Sequence, residues 1–389
     1  MDQTDLFEYI YDKFKIDKPI RLIELFAGVG SQAMAIRDIG AKFEHWKVVE
    51  FDKFAINSYN AIHDTNFNVT DIRDVHCKDL EIVEKDKCCY IMTYSFPCQD
   101  LSKAGKQKGM SKGSGTRSGL LWEVERILLE AKENGNLPQV LLMENVPDVI
   151  GKKNYDDFMK WYAALENMGY QSYYKILNAK DYGIPQNRER CFMVSILGKF
   201  NYQFPKKIPL KLRLKDMLEE QVDDKYYLSD KMVNCFMSKG TGKYPRRERF
   251  IQSLKKVNEE GIANTIITTE GSKPSCNFII VKEATKKGYA EAKIGDSINL
   301  DQPNSKTRRG RVGKGIAQTL TTSCNQAVVV ENDLIRKLTP KECWRLMGFT
   351  DEDFEKAENV NSNCQLYKQA GNSIVKNVLM AIFREMMEE

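Results

Sequence analysis

The chain has 389 residues, of which 42% are apolar and 29% charged, and its formal net charge is +5 at pH 7. This composition excludes a disordered or fibrous chain and fits a soluble globular protein with room for two domains, or for one domain with an insertion. No apolar run approaches the roughly 20 residues of a membrane span, so no membrane partner is expected.

The start, Met1 to Lys18, is acidic and aromatic and lacks the basic-then-apolar order of a secretion signal. Its Leu6, Ile10 and Phe14 fit one face of a short helix. The ten cysteines are scattered, without a C-x-x-C, and the three histidines (His45, His63, His76) have no metal spacing. A disulfide scaffold and a zinc ribbon are both disfavoured, so reduced thiols, a cytoplasmic location and no metal are expected.

Strands and helices then alternate, the pattern of a doubly wound parallel sheet covered on both faces. Strands are predicted at Ile20 to Phe26, Lys47 to Glu50, Phe67 to Val69, Tyr90 to Tyr94 and Val140 to Glu144. Helices are predicted at Ser31 to Ile39 (stopped by Gly40), Lys53 to Ile62, Leu120 to Glu133 and Tyr155 to Met168. Tyr173 to Leu177 and Cys191 to Leu197 read as a closing strand pair.

The pattern breaks near Phe200. Pro205 and Pro209 interrupt it, and irregular sequence rich in Lys, Arg and Gly follows. Between Asn201 and Ile335 there are 24 Lys and Arg against 16 Asp and Glu, a net of +8. Such asymmetry suggests a polyanionic partner, although a solvated surface gives the same count. Within this stretch Gly261 to Ile266 recurs as Gly315 to Leu320, and each copy runs on to a β-branched segment, which predicts two similar β-hairpins. From Ser373 to Met387, Ile374, Val378 and Ile382 lie on one helical face with Val375, Leu379 and Phe383. That helix needs a partner, and the open sheet is the natural one. The basic region is then an insertion, giving residues 1–199 as a cofactor-binding domain, 200–363 as a smaller, mostly β domain, and 364–389 as a return to the first.

Three clusters carry chemistry. Phe26-Ala27-Gly28-Val29-Gly30 joins the first strand to the first helix, and Glu50 follows 20 residues after Gly30 at a strand end. The turn lets a ligand approach the backbone, and the carboxylate suits a ribose diol. Asp71 and Ile72 could hold a base. This describes an adenosine-containing cofactor without separating a nicotinamide dinucleotide from S-adenosylmethionine. The second cluster is Phe96-Pro97-Cys98-Gln99, at the end of a buried strand and just before Leu101 to Gly119. That loop holds five glycines, Lys103, Lys106, Lys108, Lys112 and Arg117, and no acid. A thiol at a strand tip beside a basic loop suggests a nucleophile acting on an anionic polymer, the bland alternative being a buried structural cysteine. The third is Glu144-Asn145-Val146 together with Gln186-Asn187-Arg188-Glu189-Arg190.

The ordered set of these motifs resembles the cytosine-C5 DNA methyltransferases of bacteria and phages. Leu338 to Phe349, with Arg345-Leu346-Met347-Gly348-Phe349, is similar to the motif that closes that family's recognition region, and Gln369-Ala370-Gly371-Asn372-Ser373 to its last motif. The resemblance implies a Rossmann-like S-adenosylmethionine-dependent sheet with an inserted target-recognition domain. It implies methyl transfer from S-adenosylmethionine, leaving S-adenosylhomocysteine, to C5 of a flipped-out cytosine in double-stranded DNA through a Cys98–C6 adduct. Cys98, Glu144, Arg188 and Arg190 would be catalytic, with Arg190 on the base and on Glu144 and Arg188 on backbone. Phe26, Ala27, Gly28, Gly30, Glu50, Phe51, Asp71, Ile72, Pro97, Leu120, Asn372 and Ser373 would hold the cofactor. Gln99, Ser102, Lys106, Arg117, Arg246, Arg247, Arg308, Arg309 and Arg311 would meet DNA. A monomer, nucleoid-associated when bound to DNA and in some systems paired with a restriction endonuclease, is the implied state. Competing readings are an RNA cytosine-C5 methyltransferase, a nicotinamide oxidoreductase, in which Cys98 and Glu144 have no role, and a non-catalytic DNA-binding relic.

Overall fold

The computed structural model describes residues 11–101, 108–228, 279–286, 288–302, 305–323, 326–330 and 335–387. A six-stranded sheet organises them. Its strands are β1 (Ile20–Leu25), β2 (Phe43–Val49), β3 (Cys89–Tyr94), β4 (Val140–Asn145), β5 (Tyr170–Asn178) and β7 (Glu189–Leu197), in the order β2-β1-β3-β4-β7-β5. The first four run parallel, and β7 is antiparallel to both β4 and β5. The sheet is therefore mixed rather than wholly parallel.

Side chains alternate across it, as the two-residue strand period requires. Leu22, Ile91, Leu142 and Val194 enter one core, with Ala33 to Ile36 of α1 (Ser31–Asp38). Ile23, Met92, Leu141 and Met193 enter the other. There they meet Val124 and Ile127 of α3 (Leu121–Glu133), and Phe158 and Trp161 of α4 (Tyr155–Asn167). Helices thus cover both faces, and buried strands of this kind read as continuous apolar runs.

The chain's last helix behaves as its amphipathic pattern demands. Val378, Leu379, Ile382 and Phe383 of Lys376–Arg384 are buried beside α1 in the first core. That core also contains Leu338, Trp344, Met347, Phe349 and Phe354. It includes Ala317, Leu320 and Val328 as well, so the inserted region shares apolar packing with the sheet.

The insertion is β-rich where described. β10 (Ser297–Asn299), β11 (Val312–Gly313), β13 (Gln326–Val329) and β14 (Ile335–Lys337) form an antiparallel sheet in the order β11-β10-β13-β14. Two further strands, β8 (Ile279–Lys282) and β9 (Tyr289–Ala292), pair with each other. The first copy of the repeat, 261–266, lies outside the described residues, and the second is not a hairpin. In the second, β12 (Ala317–Gln318) leaves the small sheet to pair in parallel with β6 (Gln186–Asn187).

Two more expectations are corrected. Phe67 to Val69 is no strand, because the side chain of Asn60 takes the Phe67 N–H and C=O (2.9 Å each) that a ladder would use. Phe14 is not helical: it runs in extended chain between the β-bridges at Lys13 and Ile16, its ring 5.3 Å from that of Phe200. Leu6 and Ile10 lie outside the described residues. Among the described residues no helix is long and apolar enough to cross a membrane.

Candidate active site

Strand order sets the site. At the carboxyl ends of the parallel strands the chain presents, in spatial sequence, Glu50 after β2, Phe26 after β1, Pro97 and Cys98 after β3, and Glu144 at the end of β4. Because β7 runs the opposite way, its beginning, with Arg188 and Arg190, reaches the same edge. Ligands of open α/β sheets bind at this edge. A cavity of about 670 Å³ lies there, lined by all of these residues.

On the β2 and β1 side a carboxylate and an exposed aromatic ring line the cavity. Glu50 accepts N–H bonds from Gly28 (2.9 Å) and Asp52 (2.8 Å), one on each carboxylate oxygen. Burial still raises its pKa against those amides. Each oxygen keeps a lone pair, and a diol can use both. The Phe51 ring, 69% exposed, stands at the cavity as a stacking surface. Asp71 lines the wall, but its carboxylate caps the next turn and binds Arg73 (Nε, 3.0 Å), which holds its pKa low. Ala27, Ile72, Pro97, Leu120, Asn372 and Ser373 also line the cavity. Gly30 does not. It serves packing instead: a Cβ there would stand 2.3 Å from His63 Nε2, and its φ is +82°.

The β3, β4 and β7 side gathers the thiol, a buried carboxyl and two guanidiniums. Glu144 is buried, and Arg190 Nε meets its Oε1 at 3.1 Å. Burial raises the Glu144 pKa, opposed by the two arginines. Such a carboxyl is suited to holding and donating a proton. Cys98 is half-buried. Burial and the Glu144 charge raise its thiol, and Arg190 and Arg188 lower it without prevailing. The resting group is therefore a thiol.

Arg188 plays a different part from Arg190. It is 3% exposed and donates to the carbonyls of Leu320 (3.1 Å), Gly371 (2.9 Å) and Ser373 (2.7 Å). Burial and the Arg190 charge lower its pKa to about 9. It thereby clamps the inserted region and the end of the helix Asn363–Asn372 to the sheet. Gly371 is needed at that junction, since a Cβ would lie 2.5 Å from the Thr321 carbonyl carbon.

Of the residues expected on DNA, Gln99 and Arg117 line the cavity and bond to each other (2.7 Å). Arg309 is exposed, and Arg308 faces Asp301 at 3.8 Å. Arg311 is a correction. It is 1% exposed, and its guanidinium donates to the carbonyls of Asn299, Asp301 and Gln302, so it holds the small sheet's loop together. Ser102, Lys106, Arg246 and Arg247 lie outside the described residues. Sequence reasoning missed three groups. Asn145 Nδ2 binds the Phe96 carbonyl (3.0 Å), joining the two reactive strand tips. Gln186 accepts from Leu320 N and donates to Leu346 O. Lys368 Nζ reaches Asp52 Oδ2 (2.5 Å) at the cavity. Asn145 and Gln186 stand inside quoted motifs, which was their one signal.

The α/β sheet thus brings a carboxylate, a thiol, a buried carboxyl and two guanidiniums to one edge. The family is explicit: residues 20–388 match the model of the C-5 cytosine-specific DNA methylases, and the chain belongs to that family. It is a DNA (cytosine-5-)-methyltransferase. The chain is 32% identical to the type II methyltransferase M2.ScrFI of Lactococcus lactis subsp. cremoris, over 95% of this chain and 99% of that one. It is 29% identical to the orphan methyltransferase M.SPBetaI of Bacillus phage SPbeta, over 95% and 97%. Over 48% of this chain and 46% of the other it is 43% identical to the orphan methyltransferase M.SssI of Spiroplasma monobiae. The fold is shared with a prophage-encoded putative DNA modification methyltransferase from E. coli (TM-score 0.57, 20% identity, 94% of this chain and 98% of that one).

Proposed function

We propose that the protein methylates C5 of a cytosine turned out of double-stranded DNA, with S-adenosylmethionine as methyl donor and Cys98 as covalent nucleophile. The convergence of Cys98, Glu144 and Arg190 beside the Glu50 cradle carries this reading. Glu50 would hold the ribose diol and Phe51 the adenine, which suits the two amide-supported carboxylate oxygens and the exposed ring. The cofactor supplies an electrophilic methyl group on sulfur.

The chain's own residues supply the rest. Cys98 Sγ gives its proton to water and bonds to C6, and the C5=C6 electron pair moves toward C5 and the ring. Glu144 donates to N3 as charge develops there, and Arg190 keeps that carboxyl aimed. C5 then bonds to the methyl carbon as that carbon's bond to sulfur breaks, the electron pair leaving with the sulfur of S-adenosylhomocysteine. Loss of the C5 proton to water, expulsion of Cys98 as a thiolate that is reprotonated from water, and return of the N3 proton to Glu144 restore the ring and the enzyme. A cytosine within a duplex is out of reach of this cavity, so the base must be extruded, at a cost of about a few kcal/mol. The basic insertion is our candidate for choosing the site.

Transfer of labelled methyl groups to duplex DNA, mapped by bisulfite sequencing, tests the activity. Cys98→Ala should abolish transfer and retain DNA binding. A duplex with 5-fluorocytosine at the target should trap a protein–DNA adduct that survives denaturation, since fluorine cannot leave as a proton. Turnover by Cys98→Ala, or no adduct with the wild type, would refute the covalent route.

A further inference from the structure

The segment that carries the nucleophile has no regular structure after Tyr94, yet a thiol that adds to one ring carbon must be held to a fraction of an ångström. Among the described residues, Leu101 N donates to the Cys98 carbonyl (3.0 Å), and four further bonds involve side chains, three of them from a single short stretch. Ser118 Oγ donates to the Pro97 carbonyl at 2.6 Å, the peptide group that leads directly into Cys98. Arg117 N–H donates to Asp100 Oδ2 (2.9 Å), and Arg117 Nη1 to Gln99 Oε1 (2.7 Å). From the other side Asn145 holds the Phe96 carbonyl.

Ser118 is the buried member of that stretch. It is fully buried, while the neighbouring Arg117 lines the cavity. It sits in a 3₁₀ turn, Arg117–Leu120, that opens α3, and the turn is fixed by Thr116, whose Oγ1 accepts from Gly119 N (3.1 Å). Behind it, Leu121 and Val124 of α3 are anchored in the second core. The hydroxyl therefore transmits the position of a core-anchored helix to the backbone next to the thiol. A buried hydroxyl is retained at a cost unless it is bonded, and this one has a short bond to a single acceptor.

We propose that Ser118 is a positioning residue for the methyl-transfer reaction: through the Pro97 carbonyl it sets where Cys98 Sγ stands relative to the cytosine ring. This rests on the reading of Cys98 as the nucleophile. Ser118 touches neither substrate nor cofactor in this role, so its removal should spare binding and strike the bond-forming step.

The test uses the full-length protein with Ser118→Ala, Ser118→Cys and Ser118→Thr. Ser118→Ala should lower kcat by about 10- to 100-fold, with KM for DNA and for S-adenosylmethionine within about twofold, as a displaced nucleophile would. Adduct formation with the 5-fluorocytosine duplex should slow by the same factor. Ser118→Cys, which keeps the size and weakens the donor, should share the defect, and Ser118→Thr, which keeps the hydroxyl, should recover most of the rate. Folding is checked by thermal melting, and if Ser118→Ala does not fold, the Cys and Thr pair decides alone. Normal kcat in the folded Ala or Cys variant, or a defect confined to KM, would overturn the proposal. Cys98→Ala is run in parallel: if it still transfers methyl groups, the nucleophile reading has failed, and if it is inert while the Ser118 variants are normal, only the positioning role has.

Discussion

Glu144→Gln should separate two effects that one carboxyl now combines. In the native site Glu144 is buried, its Oε1 is 3.1 Å from Arg190 Nε, and its charge raises the neighbouring Cys98 thiol. Glutamine keeps the shape and an acceptor but can neither deliver a proton to N3 nor carry charge. Loss of a positioned general acid typically costs 10²- to 10⁴-fold, about 3–5 kcal/mol of barrier. Stability should fall less, by about 1–3 kcal/mol, because Arg190 is left with its bond to the Glu189 carbonyl (2.7 Å). The thiol should respond in the opposite sense. With the carboxylate gone, burial alone opposes Arg190 and Arg188 at Cys98, and its pKa should drop. Iodoacetamide labelling of Cys98, followed by mass spectrometry across pH, should therefore show a thiol that ionises at lower pH in an enzyme that has lost methyl transfer. A variant whose transfer is intact, or whose Cys98 becomes harder to ionise, would refute this assignment of roles.

Glu50→Ala should weaken S-adenosylmethionine binding by roughly 1.5–3 kcal/mol, the worth of a charge-assisted bond, while sparing DNA affinity; calorimetry showing unchanged cofactor affinity would remove Glu50 from the site. The insertion's arginines should divide by burial. Arg311→Ala should lower thermal stability, because its buried guanidinium holds three carbonyls, whereas Arg309→Ala should leave the melting temperature alone and change DNA binding or the mapped target site. The reverse pattern in melts and methylation maps would contradict the structure. Glu24 gives a pH signature. It is fully buried on β1, accepts the Tyr59 hydroxyl (2.5 Å), and burial raises its pKa to about 7. The folded state thus binds a proton the unfolded chain releases, and this contribution is present below the ordinary glutamate range and is lost as pH rises through about 7. His45 and His63, which burial lowers to about 4 and about 3, run the other way and lose stability as pH falls. Glu24→Gln should therefore gain stability relative to wild type between pH 5 and 8, by at most about 3 kcal/mol, read as a widening difference in melting temperature. A constant difference would mean that Glu24 does not titrate there.

The amino-acid sequence by itself determined the sheet's central strands, the helices over them and the reactive motifs. Tyr90 to Tyr94 and Val140 to Glu144 are legible because a strand buried on both faces must be apolar throughout, and the last helix because Ile382 and Phe383 recur with the helical period. Cys98, Glu144 and Arg190 stand in short motifs whose residue types are dictated by their chemistry. Tertiary structure alone decided what those residues feel and which of their neighbours matter. The Cys98 thiol is raised because burial and Glu144 outweigh two arginines, a balance of distances with no local sequence signal. Phe67 to Val69 has strand composition, yet Asn60 captures its backbone groups. Arg309 and Arg311 are two positions apart in one basic cluster, and one is exposed while the other is buried against carbonyls. Ser118 is an unremarkable serine at the end of a glycine-rich loop until folding sets its hydroxyl 2.6 Å from the Pro97 carbonyl. In each case the deciding partner is distant in sequence or hidden by burial, so composition and spacing carry no record of it.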